Sequence, residues 1–417
     1  MRILFVHQNF PGQFRHIIKK YVTTPGCEVA CIGESANMLA WEGLPGIRIH
    51  GYGAVANRKE SAHPYLDGLD LFVKRGQKAA RTATEIKKSG FIPDVIVAHT
   101  GWGEALFLRD VFPDSKILSY CEFYYNADGS DVGFENHGNV SLDKRFSTRT
   151  RNFNQALSFI SGDWGISPTE WQKQQYPEIV RQRISVIHDG IDTDLIAPDS
   201  EAHCTLRSGL THLKAGDEVI TFVNRNFEPY RGFHIFAYAL PLIQKLRPNA
   251  QIVLVGSDGV SYGSPPPGGT TYRKMFMDQV KDKVDFSRIH FIGHLPHEHF
   301  IKILQISAVH VYLTYPFVLS WSLMEAMAAG CLVVASKTKP VEEVIRHEEN
   351  GLLVDFFSPE GLATAIDDAL SRPSEMQLLR ENARETIVKN YDLNNICLPR
   401  QIELINSLAD GKLPIPS

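Results

Sequence analysis

The sequence is poor in the features that would classify it quickly. Its six cysteines, Cys27, Cys31, Cys121, Cys204, Cys331 and Cys397, form no C-x-x-C pair and mostly lie inside apolar runs. They read as buried reduced thiols rather than zinc ligands. Positive charge is not in excess: 43 Lys and Arg against 47 Asp and Glu leave a formal charge of -4, so the global signature of a nucleic-acid binder is missing. No apolar run is long enough to cross a bilayer. The opening "MRILFVHQNF" enters a strand-like run without the charged leader, apolar core and cleavage site of a signal peptide, and the chain is expected to be cytoplasmic. The densest histidine group, His294, His297 and His299 in "HLPHEH", fits neither H-E-x-x-H nor a zinc-finger pair, so no metal is expected. No repeat at solenoid periods is present.

What is present is a globular profile, 43% hydrophobic and 22% charged over 417 residues, a length that suggests two domains. Apolar runs alternate with helix-length segments. The first set is "RILFVH" (2–7), "CEVACIG" (27–33), "DVIVAH" (94–99), "KILSY" (116–120) and "ISVIHDG" (184–190). The rhythm restarts with "EVITFVN" (218–224), "AQIVLVG" (250–256), "RIHFIG" (288–293), "AVHVYLT" (308–314) and "CLVVAS" (331–336). Runs this continuous, rather than alternating, predict central parallel strands covered by helices on both faces, hence two successive α/β sheets. Turn formers over 189–209 mark the linker, giving domains over 1–195 and 196–390. Residues 391–417 carry a helical apolar stripe, despite Pro399, that is expected to cross back to the first domain. "YGSPPPGGTTY" (262–272) reads as an exposed loop.

In open parallel sheets ligands bind beyond the carboxyl ends of the strands, and four such places stand out. After the first strand, "HQNFPGQFRHI" turns at Pro11 and Gly12; the glycine lets backbone approach a ligand, or simply makes the turn. In "VNRNFEPYRGF" (223–233), Arg225 and Arg231 bracket a loop that enters a helix. Two guanidiniums there can hold a diphosphate without a metal, or pair with Glu228 on the surface. In "YPFVLSWSLMEAMAAG" (315–330), Glu325 can take the hydroxyls of a ribose, or close a capping box as the last residue of Ser322-Leu323-Met324-Glu325. Glu343, in "TKPVEEVIRHEENGLLV" (338–354), either faces the same ligand or is a solvated first-turn acid.

The order of these segments resembles the family-4 retaining glycosyltransferases of the GT-B fold, over roughly 216–371 and more loosely through "HQNFPGQF", "PDVIVAHTGWG" and "VIHDGID". The resemblance implies two Rossmann-like domains facing across a cleft. It implies transfer of a sugar from a nucleotide diphosphate sugar to a hydroxyl of a glycan, glycolipid or protein, with retention and without a metal or other cofactor, as in surface polysaccharide biosynthesis. Arg225 and Arg231 would stabilise the departing phosphate, and Glu325 would be the second acid of the family's Glu-(seven residues)-Glu motif. Phe317 stands where the first acid belongs. The backbone N–H groups of Leu319, Ser320 and Trp321 are then left to grip the sugar, with the Trp321 ring as a platform. Glu122 in "LSYCEFYY" falls near the family's histidine and is a candidate acceptor-side base or sugar contact. A nucleotide-sugar epimerase of the same architecture and a non-catalytic nucleotide-sugar-binding subunit are the alternatives. "VKRGQKAARTATEIKKSG" (73–90) sets Lys74, Arg75, Lys78, Arg81, Lys87 and Lys88 against Glu85. It reads either as a contact with the inner face of an anionic membrane or as a solvated helix face, and "KRFSTRTR" (144–151) admits the same two readings.

Overall fold

The computed structural model describes residues 1–39, 45–56, 63–206 and 211–414. The chain divides into two compact units, Met1–Gly190 with Asn394–Ser417, and Ile191–Leu393.

The first unit holds seven strands: β1 Arg2–Val6, β2 Glu28–Glu34, β3 Ile47–Tyr52, β4 Val95–His99, β5 Lys116–Tyr120, β6 Trp164–Ser167 and β7 Ile184–Val186. They form one sheet in the order β3-β2-β1-β4-β5-β6-β7, parallel at every pairing. Period-2 alternation explains the unbroken apolar runs. In β1, Ile3 and Phe5 join a cluster with Ile17, Ile18 and Tyr21 on one face, while Leu4 and Val6 join Ala79, Ala83 and Ile86 of helix Asp67–Lys88 on the other. Two strands, β3 and β6, were not foreseen. β3 is an edge strand of mixed polarity, and β6 is only four residues long.

The C-terminal helix Leu398–Ala409 packs on this unit, as expected, through Leu404, Ile405 and Leu408. Tyr21 Oη donates to Asn406 Oδ1 at 2.9 Å and Gln401 Nε2 to the His188 carbonyl at 2.8 Å. Pro399 lies in its first turn, where a missing N–H is tolerated.

The second unit opens with an antiparallel hairpin, β8 His203–Thr205 and β9 His212–Lys214, in part of the segment read as linker. Its parallel sheet contains β10 Val219–Asn226, β11 Gln251–Ser257, β12 Ile289–Gly293, β13 Val309–Tyr312, β14 Leu332–Ser336 and β15 Leu352–Val354, ordered β12-β11-β10-β13-β14-β15. Ile220 and Phe222 point to one face, where the Phe222 and Phe236 rings stack at 4.5 Å. Val219 and Val223 point to the other, against Leu323, Met324 and Met327. In both units the strand order reverses beside the first strand, at β1/β4 and at β10/β13. Those reversals open a crevice at the carboxyl edge of each sheet.

Candidate functional site

At the carboxyl edge of the second sheet, β10 ends in Arg225 and Asn226, and a short 3-10 turn, Pro229–Arg231, leads to Gly232. Gly232 has φ +67°, and a Cβ there would fall 2.3 Å from Leu313 Cβ, so only glycine lets the next helix, Phe233–Leu246, start so close to the end of β13. The turn buries Arg231 to 5% exposure. Its Nη1 donates to Thr314 Oγ1 at 2.8 Å, to the Val318 carbonyl at 3.0 Å and to Tyr312 Oη at 3.1 Å. The Tyr262 ring lies 5.2 Å from the guanidinium carbon. These hydrogen-bond partners are neutral, and among the described residues Arg231 forms no ion pair, although the buried Glu228 carboxylate acts on it electrostatically. Glu228, the expected surface partner of the arginines, is itself buried. It accepts the backbone N–H groups of Ser261, Tyr262 and Gly263 at 3.1–3.3 Å. A buried carboxylate thus pins the base of the 262–272 loop and holds Tyr262 beside Arg231. Arg225 is exposed, with no hydrogen bond or ion pair to the described residues.

Glu325 is not a capping-box acid. Helix Trp321–Ala328 starts earlier than S-x-x-E requires: Ser320 is its N-cap and accepts the Ser322 N–H at 3.3 Å. Glu325 lies in the second turn, where its Oε1 is 2.7 Å from His297 Nε2 of helix His297–Gln305. The Ser320 N–H donates to Tyr312 Oη at 2.9 Å, which takes it away from the sugar-gripping role foreseen for it. Leu319 is buried in the core, Trp321 is 43% exposed, and Glu343 is exposed at the end of helix Lys339–Glu342. Phe317 is buried in an aromatic cluster, 4.9 Å from the Tyr262 ring and 5.6 Å from that of Tyr230, which in turn stacks on Tyr315 at 4.7 Å.

At the carboxyl edge of the first sheet, three neighbouring strands deliver polar groups. His7 follows β1, His99 ends β4, and Glu122 comes two residues after β5. His7 Nε2 donates to Gln13 Oε1 at 2.8 Å, and Gln13 Nε2 donates to Glu122 Oε1 at 3.0 Å. His99 Nδ1 accepts the Gly101 N–H at 3.0 Å. In the neutral ring the proton therefore sits on Nε2, 3.5 Å from Glu122 Oε2, an electrostatic contact rather than a full hydrogen bond. Burial, and then the neighbouring His99, push the His7 pKa down to about 3, so His7 is a neutral donor at physiological pH.

Both imidazoles rest against glycines. A Cβ on Gly12, whose φ is +51°, would fall 2.4 Å from His7 Nε2, and one on Gly101 would fall 2.7 Å from His99 Cε1. Glu122 also lines a cavity with Trp102, Tyr125, Arg151 and Gln155.

Sequence reasoning singled out Glu122 and Gly12 but not His7, His99 or Gln13, although both histidines lie in quoted stretches at strand ends. The position rule that drew attention to Gly12 would have found them. The basic segment at 73–90 is largely committed within the unit. Lys74 pairs with Asp70 and Lys88 with Glu85; Lys78 donates to the Gly53 and Ala54 carbonyls and Lys87 to that of Val111. Among the described residues, no group of three or more His, Cys, Asp or Glu side chains is placed to hold a metal ion.

Two family models match in succession: "Glycosyl transferase family 4 group" over residues 25–196 and "Glycosyl transferases group 1" over 211–386. With two Rossmann-like sheets and a C-terminal helix returning to the first unit, the chain has the GT-B architecture, and its two halves are similar to these two glycosyltransferase groups. Among curated proteins it is 27% identical over 206 residues to a D-inositol 3-phosphate glycosyltransferase of Corynebacterium efficiens, covering 48% of this chain and 47% of that protein. It is 28% identical over 212 residues to the phosphatidyl-myo-inositol mannosyltransferase of Mycobacterium tuberculosis, covering 49% and 50%. The chain thus spans about half the length of the curated relatives it matches.

Among solved structures, a sucrose-phosphate synthase from Thermosynechococcus elongatus superposes with TM-score 0.73 at 19% identity, over 99% of this chain and 100% of that one. The Anabaena protein HepE, crystallised with UDP and glucose, superposes with TM-score 0.69 at 18% identity, over 98% and 99%. These two likenesses concern the fold.

Proposed function

We propose that this protein transfers a sugar, with retention of anomeric configuration, from a nucleotide diphosphate sugar to a hydroxyl acceptor. The reading rests above all on Arg231, a buried guanidinium held only by neutral acceptors at the carboxyl edge of the second sheet. Burying a cation whose hydrogen-bond partners are all neutral is costly; the one carboxylate acting on it, Glu228, is committed to backbone N–H groups, and a bound diphosphate would supply a direct counter-charge. Arg225 adds a second guanidinium one turn away. Glu325, steadied by His297, suits the ribose hydroxyls, and the Glu343 carboxylate and the backbone around Leu319 and Trp321 face the sugar.

In the reaction the bond from the anomeric carbon to the phosphate oxygen breaks, with its electron pair leaving on the diphosphate. Arg225 and Arg231 stabilise that charge. The acceptor oxygen attacks from the same face, and its proton passes to the departing phosphate oxygen. Glu122 serves the acceptor side, its carboxylate oriented by Gln13 and His7. No step calls for a metal. The inositol-linked names of the curated relatives favour a polyol or sugar hydroxyl as acceptor. A nucleotide-sugar donor places the reaction in the cytoplasm, in assembly of a surface polysaccharide, glycolipid or glycoprotein.

A second reading, a nucleotide-sugar-binding subunit without turnover, draws on Phe317, which puts a buried ring where the family carries an acid. Thermal-shift titration against a panel of nucleoside diphosphates and nucleotide sugars, with no metal added, tests the proposal. Ligand at 100 times Kd should stabilise the chain by about 2.7 kcal/mol. Absence of a shift with every nucleotide would overturn both readings, and binding without product across sugar and polyol acceptors would favour the second.

A further inference from the structure

One helical stretch of the first unit turns most of its large apolar side chains to the surface. Helix Leu142–Arg151 passes through a tightened turn at Asn152 into helix Phe153–Ile160. The buried residues of the second segment are Asn154, Gln155, Ser158 and Phe159, so Phe159 alone of its large apolar side chains faces the core, while Phe153, Leu157 and Ile160 are 57%, 39% and 69% exposed. Upstream, Leu142 and Phe146 are 68% and 52% exposed. The inner face is anchored at two asparagines and by Phe159 in the core: Asn154 Nδ2 donates to the Thr100 carbonyl at 2.6 Å, and Asn152 bonds the Tyr125 backbone in both directions at 2.6 and 2.8 Å. The orientation is therefore specified, and the apolar side is left to water.

At 100° per residue, positions 142, 146, 153, 157 and 160 fall within roughly 60° of arc, a continuous apolar stripe about 28 Å long. The same 19 residues contain four cations, Lys144, Arg145, Arg149 and Arg151, against the single acid Asp143; Arg145 is paired with Asp128 and Arg151 stacks on Tyr125, which leaves Lys144 and Arg149 to meet an outside partner. Arg149 lies in the stripe itself, and Lys144 is exposed.

We propose that this stripe docks the protein on an anionic lipid surface, with the apolar side chains entering the headgroup boundary and the cations meeting lipid phosphates. Charge complementarity favours this occupant. In a two-fold contact with a second copy, the same cations would oppose each other, whereas an anionic bilayer neutralises them and requires no complementary groove for protruding leucine and isoleucine. The surface differs from the 73–90 helix in its exposed apolar stripe; on both, part of the positive charge is engaged within the unit. The inference stands independently of the donor chemistry.

The test is flotation of the full chain with vesicles of pure phosphatidylcholine and of phosphatidylcholine with phosphatidylglycerol, at low and high salt, for wild type, Phe153→Asp/Ile160→Asp and Arg149→Glu. Light scattering and thermal melting are run alongside. Wild type should float with the anionic vesicles and not the neutral ones, less so in high salt. The double variant should lose roughly tenfold or more in bound fraction while keeping its melting temperature, and Arg149→Glu should bind less at low salt. Failure of wild type to bind, or binding unchanged in the double variant, would overturn the proposal. So would a wild-type dimer that the double variant dissociates, because the stripe would then belong to a second copy. If the double variant melts early, Arg149→Glu and the salt dependence still decide.

Discussion

His297 Nε2 lies 2.7 Å from Glu325 Oε1, and this contact joins two helices whose sequence positions are 28 residues apart. It separates two roles for Glu325 that the local motif leaves open. The helix cap is formed by Ser320, so the acid is not needed to start the helix. Glu325→Gln should weaken nucleotide binding about 10-fold or more through lost charge-assisted hydrogen bonds. It should change stability by less than about 1 kcal/mol, since its half-exposed partner makes the pair a weak stabiliser. Nucleotide titration beside a melting curve checks both; lost stability with unchanged affinity would return Glu325 to a structural role.

Arg231→Met tests the buried cation. If the diphosphate binds directly to this guanidinium, affinity for a nucleoside diphosphate should fall about 10- to 150-fold, whereas affinity for the nucleoside alone should barely change. Isothermal titration with the two ligands measures the difference. An equal loss for both would point to a collapsed site rather than a phosphate contact.

Gly12→Ala should be damaging although it adds one methyl group. The backbone is left-handed there and the new Cβ would meet the His7 ring at 2.4 Å. Conformational strain and overpacking together amount to about 2–4 kcal/mol, read in urea melts. If the ring moves instead, the Gln13–Glu122 chain loosens and turnover falls with little loss of donor affinity.

Acid should destabilise the protein through its buried histidines. Burial pushes the His7 and His310 pKa values down to about 3 and that of His188 to about 4, below the unfolded value of 6.5. The stability tied to keeping these rings neutral is fully present above pH 6.5. It is lost as pH falls toward the folded values, because the unfolded chain takes up protons first. Each ring contributes a slope of about 1.4 kcal/mol per pH unit in that window. In the second unit, His310→Gln should cost stability at pH 7 by breaking the 2.9 Å contact with Thr221, yet flatten the pH dependence, so that the two curves approach each other near pH 4. Parallel curves would assign the slope to other groups.

The sheets were legible because strands buried on both faces leave continuous apolar runs, and each quoted run overlaps an observed strand. β3 escaped because "IRIHGY" mixes polarity at an edge, and the β8–β9 hairpin hid among turn formers. The positions of Arg225, Arg231 and Gly12 followed from the rule that ligands gather at strand ends. What these side chains touch did not. The S-x-x-E pattern suggested a cap that forms two residues earlier, at Ser320. The capture of Glu228 by backbone N–H groups over thirty residues away, and the pairing of His297 with Glu325, depend on tertiary packing that has no local signature. The outward apolar stripe at 142–160 was visible only as a basic run, since which face is buried is decided by its neighbours.

The most direct test is a crystal structure of the chain with a nucleoside diphosphate bound. Arg225 and Arg231 should lie within about 3 Å of the phosphate oxygens, with the ribose hydroxyls on Glu325. A nucleotide seated elsewhere, with Arg231 still held only by Tyr312, Thr314 and Val318, would contradict the proposed reaction at its root.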